Sequence, residues 1–495
     1  MNPTGTTYNS IEYKQQRPLF LPRWVWQKSI FFSLLTLIVV MFSFNSRMMT
    51  VFLYSLYIIE ILLFFYYGKY LSHSLMFSSD SFFIKRITLI AFVIRVPLCL
   101  YYHFQYLDLY GEDYYLKLQD VNYYVGVAVE AASDFYSSGS LDFLNKWIYT
   151  YNAALDDIGC PLYNTVILIL TGSIAPCFVL YLSNCILGSI TVIFIYRITQ
   201  RHFGEGVARL TTVFCVLNPN MIWWCSSLMK ETQMVFLTCW YLNIMDKILF
   251  SHKILFKSII PGIAIGMILM LYRSALGSLV FVSFFISVLF LDKKIISTSK
   301  KILISVIVAL TLSISIGNYI LSQVDRMAKS VESGGQQSNM EWRAGREHGN
   351  EFAKYAGAAV FAPLIFTIPF PTLTYTHEGQ EALMQVAGGN YIKNVLSFFV
   401  ILSMFVFLLN KTWRQHILII SFTVGYLVIL VVSVYAQSGR FHMPILPFEM
   451  MFAAYGISLC QDKPRWRVLY TYALVAEIGI CVFWQWFKLK GQGLI

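Results

Sequence analysis

Six carboxylates crowd the stretch YLDLYGEDYYLKLQDVNYYVGVAVEAASDF: Asp108, Glu112, Asp113, Asp120, Glu130 and Asp134. Asp120 stands apart, because Val121, Tyr124, Val125, Ala128 and Ala132 follow it at helical spacing and make a small apolar face. An Asp at a helix start is ordinarily an N-cap; ionised and aimed at a reacting hydroxyl or amine, it is a general base. A second acidic pair, Asp156 and Asp157, stands just before the apolar run at Pro161 and Tyr163. Such a pair either complements a helix dipole or adds a polar contact to a site. Lys230 and Glu231 follow LNPNMIWWCSSLM, where Pro219 interrupts an apolar run. A lysine there is an interfacial anchor or a ligand for phosphate. Arg440 and His442 open the run MPILPFEMM. An arginine before a helix is poorly placed for the macrodipole but well placed for an anion, which its rigid fork grips. Arg273 lies between two abutting apolar runs and is expected on the same side, and Arg343, Arg346 and His348 form a further basic group.

The elements that must position these residues are set by composition. The chain is 57% hydrophobic and 13% charged, against about 25% charged in a soluble domain. Apolar residues gather in runs near the length that crosses a bilayer, at 29–45, 49–67, 86–104, 176–198, 206–229, 232–250, 258–272, 273–292, 302–321, 391–410, 416–436, 443–460 and 468–486. This pattern predicts an all-α integral membrane protein with about thirteen transmembrane helices. The run 161–175 is short and closed by Gly172, so it is expected to lie at the interface. The expected organisation is a cytoplasmic segment 1–28, N-terminal spans 29–104, an outer loop with interfacial helices 105–175, central spans 176–321, a second outer loop 322–390 and C-terminal spans 391–495. The first apolar run has no cleavage site after it and is read as a retained span. The net charge of +11 comes from Lys and Arg in alternate short loops, which puts the N-terminus and those loops in the cytoplasm and the acidic loop outside. No basic stripe with interleaved aromatics appears, which argues against nucleic acid. Most of the nine cysteines lie inside apolar runs and read as small hydrophobes.

Taken in order, these features resemble the membrane-embedded GT-C glycosyltransferases, in particular the branch related to protein O-mannosyltransferases and the lipid A aminoarabinose transferase. The likeness rests on Asp120 with Tyr124 and Ala128; on Asp157 upstream of Cys160, Pro161, Leu162 and Tyr163; on Asn218, Pro219, Trp223, Lys230 and Glu231; and on Arg440 with Met443, Pro444, Leu446 and Pro447. The family's second acid, directly after the Asp, is replaced here by Val121. The resemblance covers roughly residues 86–460. It implies an inverting enzyme in the bacterial inner membrane that moves a sugar from a polyprenyl-phosphate donor to a lipid, glycan or protein acceptor. Asp120 would be the base; Tyr124, Asp156, Asp157 and Tyr163 would support the acceptor; Lys230, Arg273, Arg440 and His442 would bind the donor phosphate. No cofactor is required. The outer acids leave room for a divalent cation, though no ligand spacing calls for one. The alternative is a polysaccharide polymerase or O-antigen ligase-type enzyme acting on lipid-linked glycans, with Arg343, Arg346 and His348 as its cations. A transporter or flippase is a weaker alternative, since few charges, Glu60 and Arg95 among them, fall inside predicted spans.

Overall fold

Arg23–Ser43 (α1) begins directly after Pro22, and among the described residues the chain then folds into helices and their connections; the nearest thing to sheet there is an isolated bridge between Met48 and Thr374. The computed structural model describes residues 19–112, 114, 119–140, 157–172, 176–250, 256–290, 362–375, 384–433, 435–461 and 463–495. The expected span 302–321, Asp156, and the basic group Arg343, Arg346 and His348 lie outside the described residues.

After α1 come Val51–Leu62 (α2) and Gly68–Ser74 (α3), joined through one π-turn into a single rod, then Asp80–Tyr110 (α4). Gln119–Ser138 (α5) and Gly159–Leu170 (α6) follow, then Pro176–Phe203 (α7), Glu205–Leu217 (α8) and Pro219–Trp223 (α9). Glu231–Phe250 (α10), Phe256–Tyr272 (α11) and Ser274–Phe290 (α12) complete the central part. The C-terminal part holds Ala387–Leu409 (α13), Ile417–Val432 (α14), Gly439–His442 (α15), Leu446–Cys460 (α16) and Pro464–Gly491 (α17).

Among the described residues six helical segments are long and apolar enough to cross a membrane: α1, the α2–α3 rod, α7, α13, residues 412–432 and α17. Large apolar side chains such as Phe31, Phe42, Leu89, Tyr472 and Phe483 face outward, as lipid-facing residues do when hydrocarbon is the solvent. The chain is a helical, multi-pass membrane protein. The other expected spans within the described residues are also helical, but they are interrupted, shorter or carry charge, as at α4, α8–α9, α11 and α16. Twelve residues of α6 rise only about 18 Å, less than the roughly 30 Å hydrocarbon thickness.

Some charged groups lie within the bundle. Glu60, buried on α2, lies against the start of α13, where a Cβ on Gly388 would sit 2.4 Å from its carboxylate. Buried Arg95 donates to the Ala91 carbonyl one turn back at 2.9 Å. The Pro-rich stretch around Phe370 packs inside the protein: Ile368, Phe370, Leu373 and Thr374 are buried. The reason is hydrogen bonding. Irregular backbone at this depth needs partners, and Lys393, Asn394 and Gln485 bond the Ile368, Pro369 and Pro371 carbonyls respectively.

A candidate site of buried cations and exposed acids

α5 carries Asp120 in its first turn. The expected apolar face is realised: Val121, Tyr124, Val125, Ala128 and Ala132 are buried, and the helix packs on α6, whose Asn164 amide donates to the Tyr124 carbonyl at 3.4 Å. This seating turns Asp120 towards Arg440, whose Nη1 donates to its Oδ2 at 2.6 Å. The carboxylate is thus committed to an ion pair across the bundle rather than to capping its own helix.

Arg440 comes from the short α15, just ahead of α16. Its Nε donates to Glu231 Oε1 at 2.5 Å. Burial alone would lower its pKa, but Glu231 and Asp120 more than offset that and hold the guanidinium charged. The two acids differ in exposure: the Asp120 side chain is 49% exposed and that of Glu231 0%. An exposed ion pair is worth about 0–1 kcal/mol, whereas stripping one partner from a buried pair costs about 3–5 kcal/mol. Glu231 is therefore the fixed anchor of Arg440, and Asp120 the weakly held partner.

A second pair lies beside the first. The chain breaks at Pro219, where the Asn218 side chain caps α9 by accepting from the Asn220 and Met221 amides at 3.0 and 3.3 Å, with proline at the favoured first position. Leu228 then takes a left-handed conformation, and α10 starts with Lys230 and Glu231 at its head. Lys230 pairs with Asp157 and donates to the Tyr272 carbonyl at 3.0 Å. Asp157, at φ +80°, precedes α6 and also accepts from the Tyr124 hydroxyl at 3.4 Å. Burial pushes the Tyr124 phenol well up, so it stays a donor. Gly159 makes the approach of Tyr272 feasible: a Cβ there would meet the tyrosine ring at 2.4 Å. Again the cation is the buried partner, Lys230 at 5% exposure against 52% for Asp157.

Arg273 stands next to this pair of pairs. It lies over the Phe441 ring at 4.5 Å, a ring that Arg440 approaches from 5.6 Å, and donates to the Tyr426 hydroxyl at 3.0 Å. Asp120, Tyr124, Asp157, Lys230, Arg273 and Arg440 are thus brought together. Tyr163 is directed to Ser183 on α7. His442 sits in a separate buried cluster, its Nδ1 2.9 Å from Lys393 Nζ and its Nε2 2.8 Å from the Ala436 carbonyl, with Glu449 3.3 Å from the same lysine. Burial and the adjacent Lys393 push the imidazole well below its ordinary value and keep it neutral. Glu231, Lys393 and Glu449 are polar residues that the sequence reading did not place in a site. The signal for the latter two was a charge within an apolar run.

Among the described residues no group of three or more His, Cys, Asp or Glu is arranged to hold a metal ion. What the arrangement can do is bind an anion: two cations, Lys230 buried and Arg440 partly buried, are held from behind and face outward through acids that solvent reaches. No protein-family model matches the sequence, and none of the curated proteins matches it either.

Proposed function

We propose that the chain is a GT-C-type glycosyltransferase with about thirteen spans, resident in the bacterial inner membrane with its N-terminus in the cytoplasm. On this reading it transfers a sugar from a polyprenyl-phosphate donor to a lipid, glycan or protein acceptor at the outer face. The observation that carries the proposal is the Asp120–Arg440 pair at 2.6 Å, next to Lys230 and Asp157: a candidate base and candidate phosphate ligands in one place, on elements far apart in sequence. A helix bundle suits a donor whose tail stays in hydrocarbon. Arg440 and Lys230 hold the donor phosphate and stabilise its charge as the glycosidic bond breaks, the kind of preorganised electrostatics that contributes most to such steps. Asp120 takes the proton of the acceptor hydroxyl or amine as its heteroatom attacks the anomeric carbon. Attack opposite the leaving phosphate inverts that centre. Tyr124 and Asp157 orient the acceptor side, and Arg273 adds positive potential behind Phe441.

The test is a transfer assay in membranes supplied with candidate polyprenyl-phosphate sugars, comparing the native chain with Asp120→Asn. General-base removal is expected to lower the rate by about 10²–10⁴-fold. A loss of less than tenfold would turn the reading towards polymerase or ligase chemistry on lipid-linked glycans, in which Asp120 is not the base.

A further inference from the structure

We propose that Asp120 and Asp157 are exchangeable caps on Arg440 and Lys230, and that the donor's phosphate displaces them, so that donor binding is the event that frees Asp120 to act as a base. The inference rests on the glycosyl-transfer reading and adds its order of events. Three observations carry it.

Each ion pair is asymmetric in the same sense. Arg440 and Lys230 are 17% and 5% exposed, and Asp120 and Asp157 about half exposed. An anion arriving from the solvent side meets the acids first and competes with them for cations that do not move. The cations are also held from behind. Glu231 grips Arg440 through Nε and leaves the Nη edge turned to Asp120, while the Tyr272 carbonyl accepts from Lys230. Charge gives the third observation. Asp120, Asp157 and Glu231 stand against Arg440, Lys230 and Arg273, three acids to three cations, so the set has no positive charge to spare. A phosphate added to that set gains a free cation only when at least one exposed acid turns out into solvent, where hydration compensates it. Glu231 cannot yield in this way, because it is fully buried and its Oε2 has no hydrogen-bond partner among the described residues.

The consequence is a compulsory order. While Arg440 holds Asp120, the carboxylate oxygen is occupied by the guanidinium and is not presented to an acceptor. Once phosphate occupies the guanidinium, Asp120 is released beside the anomeric carbon of the same ligand, and the acceptor that binds next finds a competent base. Glu231 is a positioning residue in this scheme: it touches neither substrate and acts through Arg440.

The experiment measures binding of farnesyl phosphate, a short polyprenyl monophosphate, to the full chain in detergent, with farnesol as the tail-only control and inorganic phosphate as the free-anion control. Asp120→Asn is expected to bind farnesyl phosphate at least threefold more tightly than the native chain, since it loses the competing charge. Farnesol should bind both forms alike, and inorganic phosphate should follow the same rank with lower affinity. Glu231→Gln is expected to weaken farnesyl phosphate at least threefold, with Glu231→Asp restoring part of the loss. Equal or weaker binding by Asp120→Asn, or an equal gain for farnesol, overturns the exchange. If the native chain transfers sugar and yet Asp120→Asn binds no more tightly, the exchange falls and the functional reading stands. If Asp120→Asn tightens while no sugar is transferred, the functional reading falls and the exchange stands.

Discussion

Arg209 and Arg440 occupy opposite ends of the same bundle and are satisfied in opposite ways. Arg209 on α8 pairs with Glu205 one turn back and with Asp80 at 2.9 Å, and donates to the carbonyls of Leu75, Met76 and Ser78 at 2.7 Å each. Its guanidinium also covers the Phe83 ring at 4.9 Å. Its fork is in full use, and it locks the turn between α3 and α4 to α8. Close by, Arg201 and His202 converge on buried Asp246 at 2.6 and 2.8 Å, and His202 reaches His416 at 2.8 Å. Arg440 donates two hydrogen bonds among the described residues, one to a buried acid and one to an exposed acid. The difference is between a cation consumed by its own fold and a cation with capacity left over. Ionic groups are present at both ends, so charge alone does not mark a site; spare hydrogen-bonding capacity behind a displaceable partner does.

The same conservative substitution at each end breaks or sharpens this contrast. Arg440→Lys keeps the charge but loses the rigid fork that faces Glu231 and Asp120 together. Transfer is expected to fall by about 10²-fold, read as kcat/KM in membranes, with the thermal midpoint in detergent close to native. A variant that melts early but turns over normally would make Arg440 a structural clamp like its counterpart. Arg209→Lys is expected to do the reverse. Replacing a saturated fork by one ammonium removes several hydrogen bonds worth about 1 kcal/mol each. Roughly 2–3 kcal/mol of stability is lost, seen as a lower midpoint, and the folded fraction transfers at the native rate. A clear drop in turnover per folded molecule would show that the two ends are coupled.

How far the sequence led can be judged from individual residues. The helical membrane character was legible because hydrocarbon imposes length and composition on spans, and among the described residues six of the expected stretches are helices long and apolar enough to cross a membrane. The α5 face was legible for a similar reason: Val121, Tyr124, Ala128 and Ala132 repeat at helical spacing. The pairing of Asp120 with Arg440 was not, because the residues are 320 positions apart and no local pattern encodes which helix ends meet. Glu231 was hidden by its neighbour. In the sequence it is the acid next to Lys230, and only the start of α10 after the left-handed Leu228 sends the two side chains to different partners. His442 shows the same effect in reverse. Two residues from Arg440, it looked like a companion ligand, yet the tight turn of α15 sends it to Lys393 on α13.

That placement of His442 gives the smallest of the expected effects and a check on which clusters are locked. Lys393, His442 and Glu449 form a buried set in which the lysine bonds the Ile368 carbonyl and the imidazole, the imidazole meets the Ala436 carbonyl, and Glu449 pairs with the lysine, so that no member of the set is solvent-facing as Asp120 is. The imidazole is held neutral by burial and by Lys393, well below its ordinary value, whereas in the unfolded chain it titrates near 6.5. The unfolded state therefore takes up the proton first as pH falls. The stability this group contributes is intact above about pH 6.5 and is lost progressively below it. Between pH 7.5 and 5.5 the loss from this group should amount to about 1 kcal/mol, read as the difference in thermal midpoint between the native chain and His442→Gln in detergent. His442→Gln can keep both contacts, its amide donating to Ala436 and its carbonyl accepting from Lys393, but it does not titrate, so the acid-side slope should flatten by that amount. An unchanged slope would mean that His442 is solvated or charged, and would return it to the candidate phosphate ligands beside Arg440.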